Sequence, residues 1–257
     1  MAPHVLYESD VGVARLTLNR TEVRNALGFD MLADLREHLE RVLADPSVRL
    51  VLLDAEGPAF CAGMDLKAVD LSDPDQAARF ATDLSAVYLR LMTLPVPFLC
   101  AVDGPASGGG VGLAAAADLV WAGPRAGFSL PETRLGLVPA LVSVVLRRRV
   151  PPHVLTQMAL GGIALDGAQA AAHGLVDFCA ELNAGVTADA FARNLIGDHA
   201  PGAVARTKKS LVGESAHDLE RQLASAEREF REAVRTDEAS RGLEAFRRKE
   251  FVRWDTP

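Results

Sequence analysis

The chain has 257 residues, 49% of them hydrophobic and only 5% aromatic, with a formal net charge of −7. So apolar a chain buries enough surface to offset its ordering entropy, which excludes disorder, and the acidic balance speaks against generic nucleic-acid binding. Cys61, Cys100 and Cys179 are too few and too scattered for a disulfide framework. The longest apolar run, Val111 to Ala117, stops at Asp118, short of the roughly 20 residues a bilayer span needs. Met1-Ala2-Pro3-His4 has no basic region ahead of an apolar core, so the expectation is a cytoplasmic protein without a signal peptide. At this length one large α/β domain is as natural as two small ones.

Val5 to Glu8 and Val11 to Leu18 read as a hairpin turning at Ser9-Asp10. Met31, Leu35, Leu39 and Val42 mark one helix face. Leu50 to Asp54 is a buried strand, and Pro74, after Ser72-Asp73, opens a helix running to about Leu94. Phe98 to Val102 is a further strand, followed by a Gly-rich turn, an Ala-rich helix and a strand from Leu119 to Ala122. This alternation predicts a mostly parallel sheet with helices outside it. Strand signals end at Val176-Asp177-Phe178, and beyond them Leu219, Leu223, Ala226, Phe230 and Ala233 form one apolar stripe. That stripe suits its own chain or another subunit equally well. Residues 206–253 carry twelve Lys/Arg against ten Asp/Glu, which reads as solvated helix surface or as a contact with an anionic ligand or partner.

Asp103-Gly-Pro-Ala-Ser-Gly-Gly-Gly-Val-Gly-Leu-Ala114 places Gly108, Gly109 and Gly110 between a strand and a helix. Three readings fit: a tight packed turn, a dinucleotide site, and an oxyanion site. Gly110-Val-Gly112-Leu-Ala-Ala115 matches the weak G-x-G-x-x-G/A pattern, but the next strand ends at Ala122-Gly123-Pro124 without the acidic residue that pattern wants. No Gly-Lys-Ser/Thr follows, so a P-loop fails. An oxyanion site uses backbone N–H groups freed at a helix start to stabilise charge on a carbonyl oxygen, one donor contributing about 10²–10³ in rate. The companion donor it needs is offered by Ala62-Gly63 before Asp65, read as another helix start after the strand at Leu50. Two such turns meet at the carboxyl edge of a parallel sheet.

The pairing of Ala59-Phe-Cys-Ala-Gly-Met-Asp-Leu-Lys67 with the 103–114 loop resembles the crotonase superfamily of enoyl-CoA hydratases and isomerases. Asn19-Arg20-Thr21-Glu22-Val23-Arg24-Asn25-Ala26-Leu27, Asp118-Leu-Val-Trp-Ala122, Phe128-Ser-Leu-Pro-Glu132 and Ala170-Ala-Ala-His-Gly-Leu-Val-Asp177 match further motifs of that family in order. The resemblance implies an α/β fold, a crotonase-type ββα spiral over residues 1–195, with a helical oligomerisation region at 196–257. It implies a homotrimer or dimer of trimers and an acyl thioester of coenzyme A or of a carrier protein as substrate; no separate cofactor is expected, no cluster has metal-ligand spacing, and neither nucleic acid nor a membrane is an expected partner. Carried over by motif, the oxyanion donors are the N–H groups of Met64 and Gly109. Arg24, Ala26, Ala62, Asp65, Leu66, Gly108 and Pro131 line the thioester site, with Asp65 read as a cap more than a reactant. Phe246 and Lys249 are expected to reach the nucleotide end from a neighbouring subunit.

Typical hydratases of the family use two glutamates. This sequence keeps Glu132 but has Gly112 at the first position, and glycine transfers no proton. The family's Δ3,Δ2-enoyl isomerases work with one carboxylate. Phe128 to Ala140, with Pro139-Ala140 where other hydratases have Pro-Gly, is similar to the dehydratases of polyketide β-branching. So are Leu146-Arg-Arg-Arg149 and the tail Glu250-Phe-Val-Arg-Trp254. Their 3-carboxylated substrates make Arg147–Arg149 candidate counter-charges; capping of helix ends is the simpler role for them. Phe128, Leu130, Leu135 and Leu137 flank Glu132, so desolvation is expected to raise its pKa towards working pH. His153 is a second titratable candidate near the acyl end, His173 reads as structural, and Cys61 has no motif histidine to activate it. The expected activity is reversible dehydration of a 3-hydroxyacyl thioester with Glu132 as acid and base. Isomerisation, a non-catalytic thioester binder and an NAD-dependent oxidoreductase are the alternatives, in that order.

Overall fold

The computed structural model describes residues 3–212, 215–250 and 252–255. Met1 and Ala2, and Phe251 of the tail motif, lie outside the described residues. Strands β1 (Val5–Asp10) and β2 (Val13–Leu18) form the antiparallel hairpin, followed by α1 (Phe29–Ala44), β3 (Leu50–Ala55), α2 (Pro74–Thr93), β4 (Phe98–Val102), β5 (Pro105–Ser107), α3 (Gly109–Ala115), β6 (Leu119–Ala122) and β7 (Gly127–Ser129). Then come α4 (Ala140–Leu146), α5 (Pro152–Ala159), β8 (Leu165–Asp166), α6 (Gly167–Ala172), β9 (Phe178–Cys179), α7 (Ala184–Asp198), α8 (Pro201–Val212), α9 (Ser215–Ala233) and α10 (Asp237–Arg248). The six-stranded sheet runs β1-β2-β3-β4-β6-β9, parallel from β2 onward, and β5-β7-β8 make a second, smaller sheet. No helix among the described residues is long and apolar enough to cross a membrane.

The hairpin turns two residues later than the sequence suggests, at Val11 and Gly12, both with positive φ (+46° and +82°). A β-branched residue seldom adopts that conformation, so nothing local advertises it. The central strands are buried on both faces because helices cover both. Val51, Leu53, Phe98 and Cys100 face α1, α2 and α3, while Leu50, Leu52, Leu99 and Ala101 face Ala184, Ala188 and Ala192 of α7. Period-two alternation along β3 and β4 thus divides their side chains between two cores. Asp73 caps α2 by accepting from Asp75 N and Gln76 N, with Pro74 in the first turn. The seam between α8 and the sheet is closed by Lys208, buried, whose Nζ donates to the Val96 carbonyl (2.9 Å) and pairs with Asp118 (2.6 Å).

The apolar stripe of α9 is settled in favour of its own chain. Leu219, Leu223, Ala226 and Phe230 are buried in the main core, against α2 and α4. The last helix continues this wrapping. A Cβ on Gly242 would overlap the Leu135 carbonyl, and one on Gly136 (φ +67°) would overlap that of Glu238. Two glycines therefore let α10 lie backbone-to-backbone on the turn that carries Glu132, Thr133, Arg134 and Leu135. Gly242→Ala is expected to lower the unfolding free energy by about 1–3 kcal/mol and to speed amide exchange across α10. Urea titration and hydrogen exchange check this.

Candidate active site

A cavity of about 820 Å³ opens at the carboxyl ends of β3 and β4. The turn after β3 is held from two sides. Leu27 N donates to Gly63 O (2.7 Å) and Asp65 N to Leu27 O (2.9 Å), bracketing Met64 and leaving its own N–H outside that pairing. Ser107 N donates to Cys61 O (2.9 Å), joining this turn to the one after β4. Gly63 (φ +86°) presses so closely on Ser107 that a Cβ there would stand 2.9 Å from its carbonyl oxygen and 3.7 Å from Gly109 N. Gly109 is the first residue of α3, so its N–H has no acceptor within the helix. Met64 and Gly109 are both partly open and both line the cavity. Two free donors on adjacent turns can polarise one carbonyl oxygen.

The segment before α1 supports this turn. Arg24 and Asn25 are both left-handed (φ +55° and +54°). Asn25, fully buried, donates to the carbonyls of Glu56 and Ala59 (2.9 Å each) and accepts from Arg20 N (2.7 Å). Arg20 bridges to Asp65 at 2.8 Å. The Asp65 carboxylate also accepts from Lys67 N (3.0 Å) and Ala68 N (3.2 Å). It therefore caps residues 66–68, which form a single turn and not the helix expected there. Asp103 accepts from Ala184 N (2.9 Å) and Gly185 N (3.3 Å), tying the start of the glycine loop to α7.

Glu132 opens a short 3₁₀ turn after Pro131. Gly108, left-handed at φ +49°, lies against it: a Cβ there would stand 2.7 Å from Glu132 Oε1. Glu132 Oε2 is buried without a hydrogen-bond partner. Burial disfavours the carboxylate and pushes the pKa from 4.5 up to about 7. A base poised there is half ionised near neutral pH, the condition general acid–base catalysis favours.

Arg24, Ala26, Ala62, Met64, Asp65, Leu66, Gly108, Gly109, Pro131 and Glu132 all line this one cavity. Phe246 lines it too, from the same chain, because α10 folds back over the Glu132 turn. Lys249 ends α10 in a left-handed conformation (φ +60°), exposed and away from the lining. His153 packs edge-on against His173 at 6.3 Å and takes no part in the lining. Arg147 donates to Ser143 O, and Arg149 donates to the carbonyls of Ala117, Asp118 and Gly174 and pairs with Asp177. The triplet sits at helix ends, not at the cavity. Burial pushes the Cys61 thiol up to about 12, which leaves no thiolate nucleophile. Gly110 and Gly112 pack against Cys61 and Tyr88, so the dinucleotide-like pattern is close packing. Among the described residues no group of three or more His, Cys, Asp or Glu could hold a metal ion.

Tyr88, not anticipated from the sequence, also lines the cavity and donates to the Gly109 carbonyl at 2.9 Å. Its wall partners are Phe80 and Leu84 of α2, Leu141 and Val142 of α4, and Phe230 of α9.

A family model described as enoyl-CoA hydratase/isomerase matches residues 8–257. The cyclohexa-1,5-dienecarbonyl-CoA hydratase of Thauera aromatica is 32% identical over 98% of this chain and 96% of its own length. The mitochondrial methylglutaconyl-CoA hydratase of Mus musculus is 31% identical over 97% of this chain and 81% of its own. The crystal structure of an enoyl-CoA hydratase from Mycobacterium avium superposes with a TM-score of 0.88 at 30% identity, covering 99% of this chain and 100% of that one.

Between 4.5 and about 7 the folded protein holds a proton on Glu132 that the unfolded chain has lost. Stability therefore falls as pH rises through that window. Glu132→Gln removes the buried charge. Its stability advantage over the unsubstituted protein is expected to widen by about 2–3 kcal/mol from pH 5 to pH 8. Urea midpoints at the two pH values check this.

Proposed function

Because the chain belongs to the enoyl-CoA hydratase/isomerase family, we propose that this enzyme dehydrates a 3-hydroxyacyl thioester reversibly, with Glu132 as the single acid and base. The observation that carries the reading is the meeting of a half-ionised buried carboxylate with two backbone N–H donors in one cavity. The thioester carbonyl accepts from Met64 N–H and Gly109 N–H, which lowers the cost of placing charge on its oxygen. Glu132 removes the α-proton, giving an enolate. The enolate expels the β-hydroxyl, which takes the proton back from Glu132 and leaves as water.

Arg24 and Lys67 at the cavity rim, together with the coenzyme A named in the relatives' activities, support coenzyme A as the handle over a carrier protein. Phe80, Leu84, Leu141, Val142 and Phe230 support an apolar acyl group. This departs from the carboxylated substrates that the wording shared with polyketide β-branching dehydratases implies, since Arg147 and Arg149 are engaged elsewhere. Exposed Leu160, Leu182 and Leu211 support assembly as a homotrimer or dimer of trimers. Isomerisation is the second reading, favoured by Gly112: with no carboxylate at that position, one base moving a proton from the α- to the γ-carbon suffices.

A panel of coenzyme A and carrier-protein thioesters, read by mass spectrometry and absorbance, tests both readings. Loss of water marks the dehydratase, and unchanged mass with shifted absorbance the isomerase. Glu132→Ala is expected to lower turnover by about 10²–10⁴ while keeping thioester binding. Turnover retained in that variant overturns the assignment, and binding without solvent exchange of the α-proton marks a non-catalytic binder.

A further inference from the structure

Helix α3 is poorly equipped to hold its own first turn. It has seven residues, three of them glycines (Gly109, Gly110 and Gly112), and its N-cap, Gly108, offers no side-chain hydrogen bond. Each glycine costs about 1 kcal/mol of helix propensity relative to alanine, and so short a helix does not persist unaided. Yet the proposed function asks the Gly109 N–H at its tip to stay fixed while charge develops on a thioester oxygen. Something outside the helix must hold it.

Tyr88 stands where that support is needed. Its hydroxyl donates to the Gly109 carbonyl at 2.9 Å, the one side-chain hydrogen bond to the first turn of α3 among the described residues. The phenol occupies the space a side chain at 112 would need: a Cβ on Gly112 would overlap both the hydroxyl oxygen and Cζ. Tyr88 is completely buried. Burial first, then the nearby Cys61 and Glu132, push its pKa well above 10, so it remains a proton donor at any working pH. The absence of a carboxylate at 112 is thus more than a deletion, because the vacated volume has an occupant with a hydrogen bond of its own.

We propose that Tyr88 is a positioning residue of this site, its hydroxyl holding the Gly109 peptide so that the neighbouring N–H stays on the thioester oxygen. It acts through the backbone, from the space a side chain at 112 would fill, and not by proton transfer. This role rests on the oxyanion function of Gly109 proposed above.

Tyr88→Phe keeps the ring and removes only the hydroxyl. The experiment binds a conjugated cinnamoyl thioester of coenzyme A and reads the red shift of its absorbance, which reports polarisation of the carbonyl without requiring turnover. With the unsubstituted enzyme a red shift is expected. In Tyr88→Phe the shift is expected to fall to about half or less and kcat about tenfold or more, a fraction of the 10²–10³ one donor supplies. Thioester Kd should change less than about threefold, and melting should move by only about 2–4 °C, as for one lost hydrogen bond. A full red shift and unchanged kcat in Tyr88→Phe overturn the proposal while leaving the oxyanion reading intact. Absence of any red shift with the unsubstituted enzyme overturns the oxyanion reading and this proposal with it.

Discussion

The site depends on one constraint, the close approach of two backbone turns at the carboxyl edge of the sheet. Cys61 and Ala106 form an isolated parallel bridge, and Ser107 N donates to Cys61 O. A Cβ on Gly110 would stand 2.6 Å from Cys61 O, one on Gly104 2.6 Å from Pro58 O, and one on Gly63 2.9 Å from Ser107 O. Three glycines on both sides of the seam therefore make the contact possible. It brings Met64 and Gly109 to one wall and lets the first turn of α3 meet them without an intervening side chain. The Asn25 clamp and the Arg20–Asp65 bridge then fix the turn after β3 from its other side. Rigid backbone donors of this kind need no reorganisation when charge develops, which is the source of their electrostatic advantage over mobile side chains.

The second requirement is dryness. Glu132 is raised to about 7 by burial, not by a nearby like charge. That burial is built by elements far apart in the chain: the glycine loop at Gly108, α2 through Tyr88 and α10 lying on the Glu132 turn. The C-terminal helices are part of the same chain's site for this reason. With α10 elsewhere, Phe246, Val252 and Trp254 would leave the cavity wall, water would reach the carboxyl, and its pKa would relax towards 4.5.

The features legible in the sequence are those of short range. β4 and β6 fall where their apolar runs place them, α2 starts at its Pro74 signal, and the two glycine turns meet as their positions after parallel strands imply. These features are written in local patterns. The three-residue strands β5 and β7 and the two-residue β8 are too short for period-two alternation to register. Glu132 is readable from its apolar neighbours and motif. Tyr88 is not, because its value lies in a bond to Gly109, 21 residues on, and in a steric relation to Gly112. An aromatic residue on the apolar face of a helix looks like any other core residue until its hydroxyl has a partner. The place of Phe246 in the cavity of its own chain is hidden for a different reason: an amphipathic, mixed-charge helix carries no mark of which surface it covers.

Taken together, the seam and the dry carboxyl restrict the chemistry more than either does alone. A lone glutamate can act as both base and acid only if the proton it removes and the atom that receives it lie on the same side of the bound thioester. Gly108 lies against Glu132, and beside it the Tyr88 phenol is held protonated and bonded to Gly109. A protonated phenol is no second base. Under the proposed function, elimination with the α-proton and β-hydroxyl leaving on the Glu132 side, or proton return to the γ-carbon on that side, needs only this one carboxylate. A carboxylate at 112 would need the volume that Tyr88 fills.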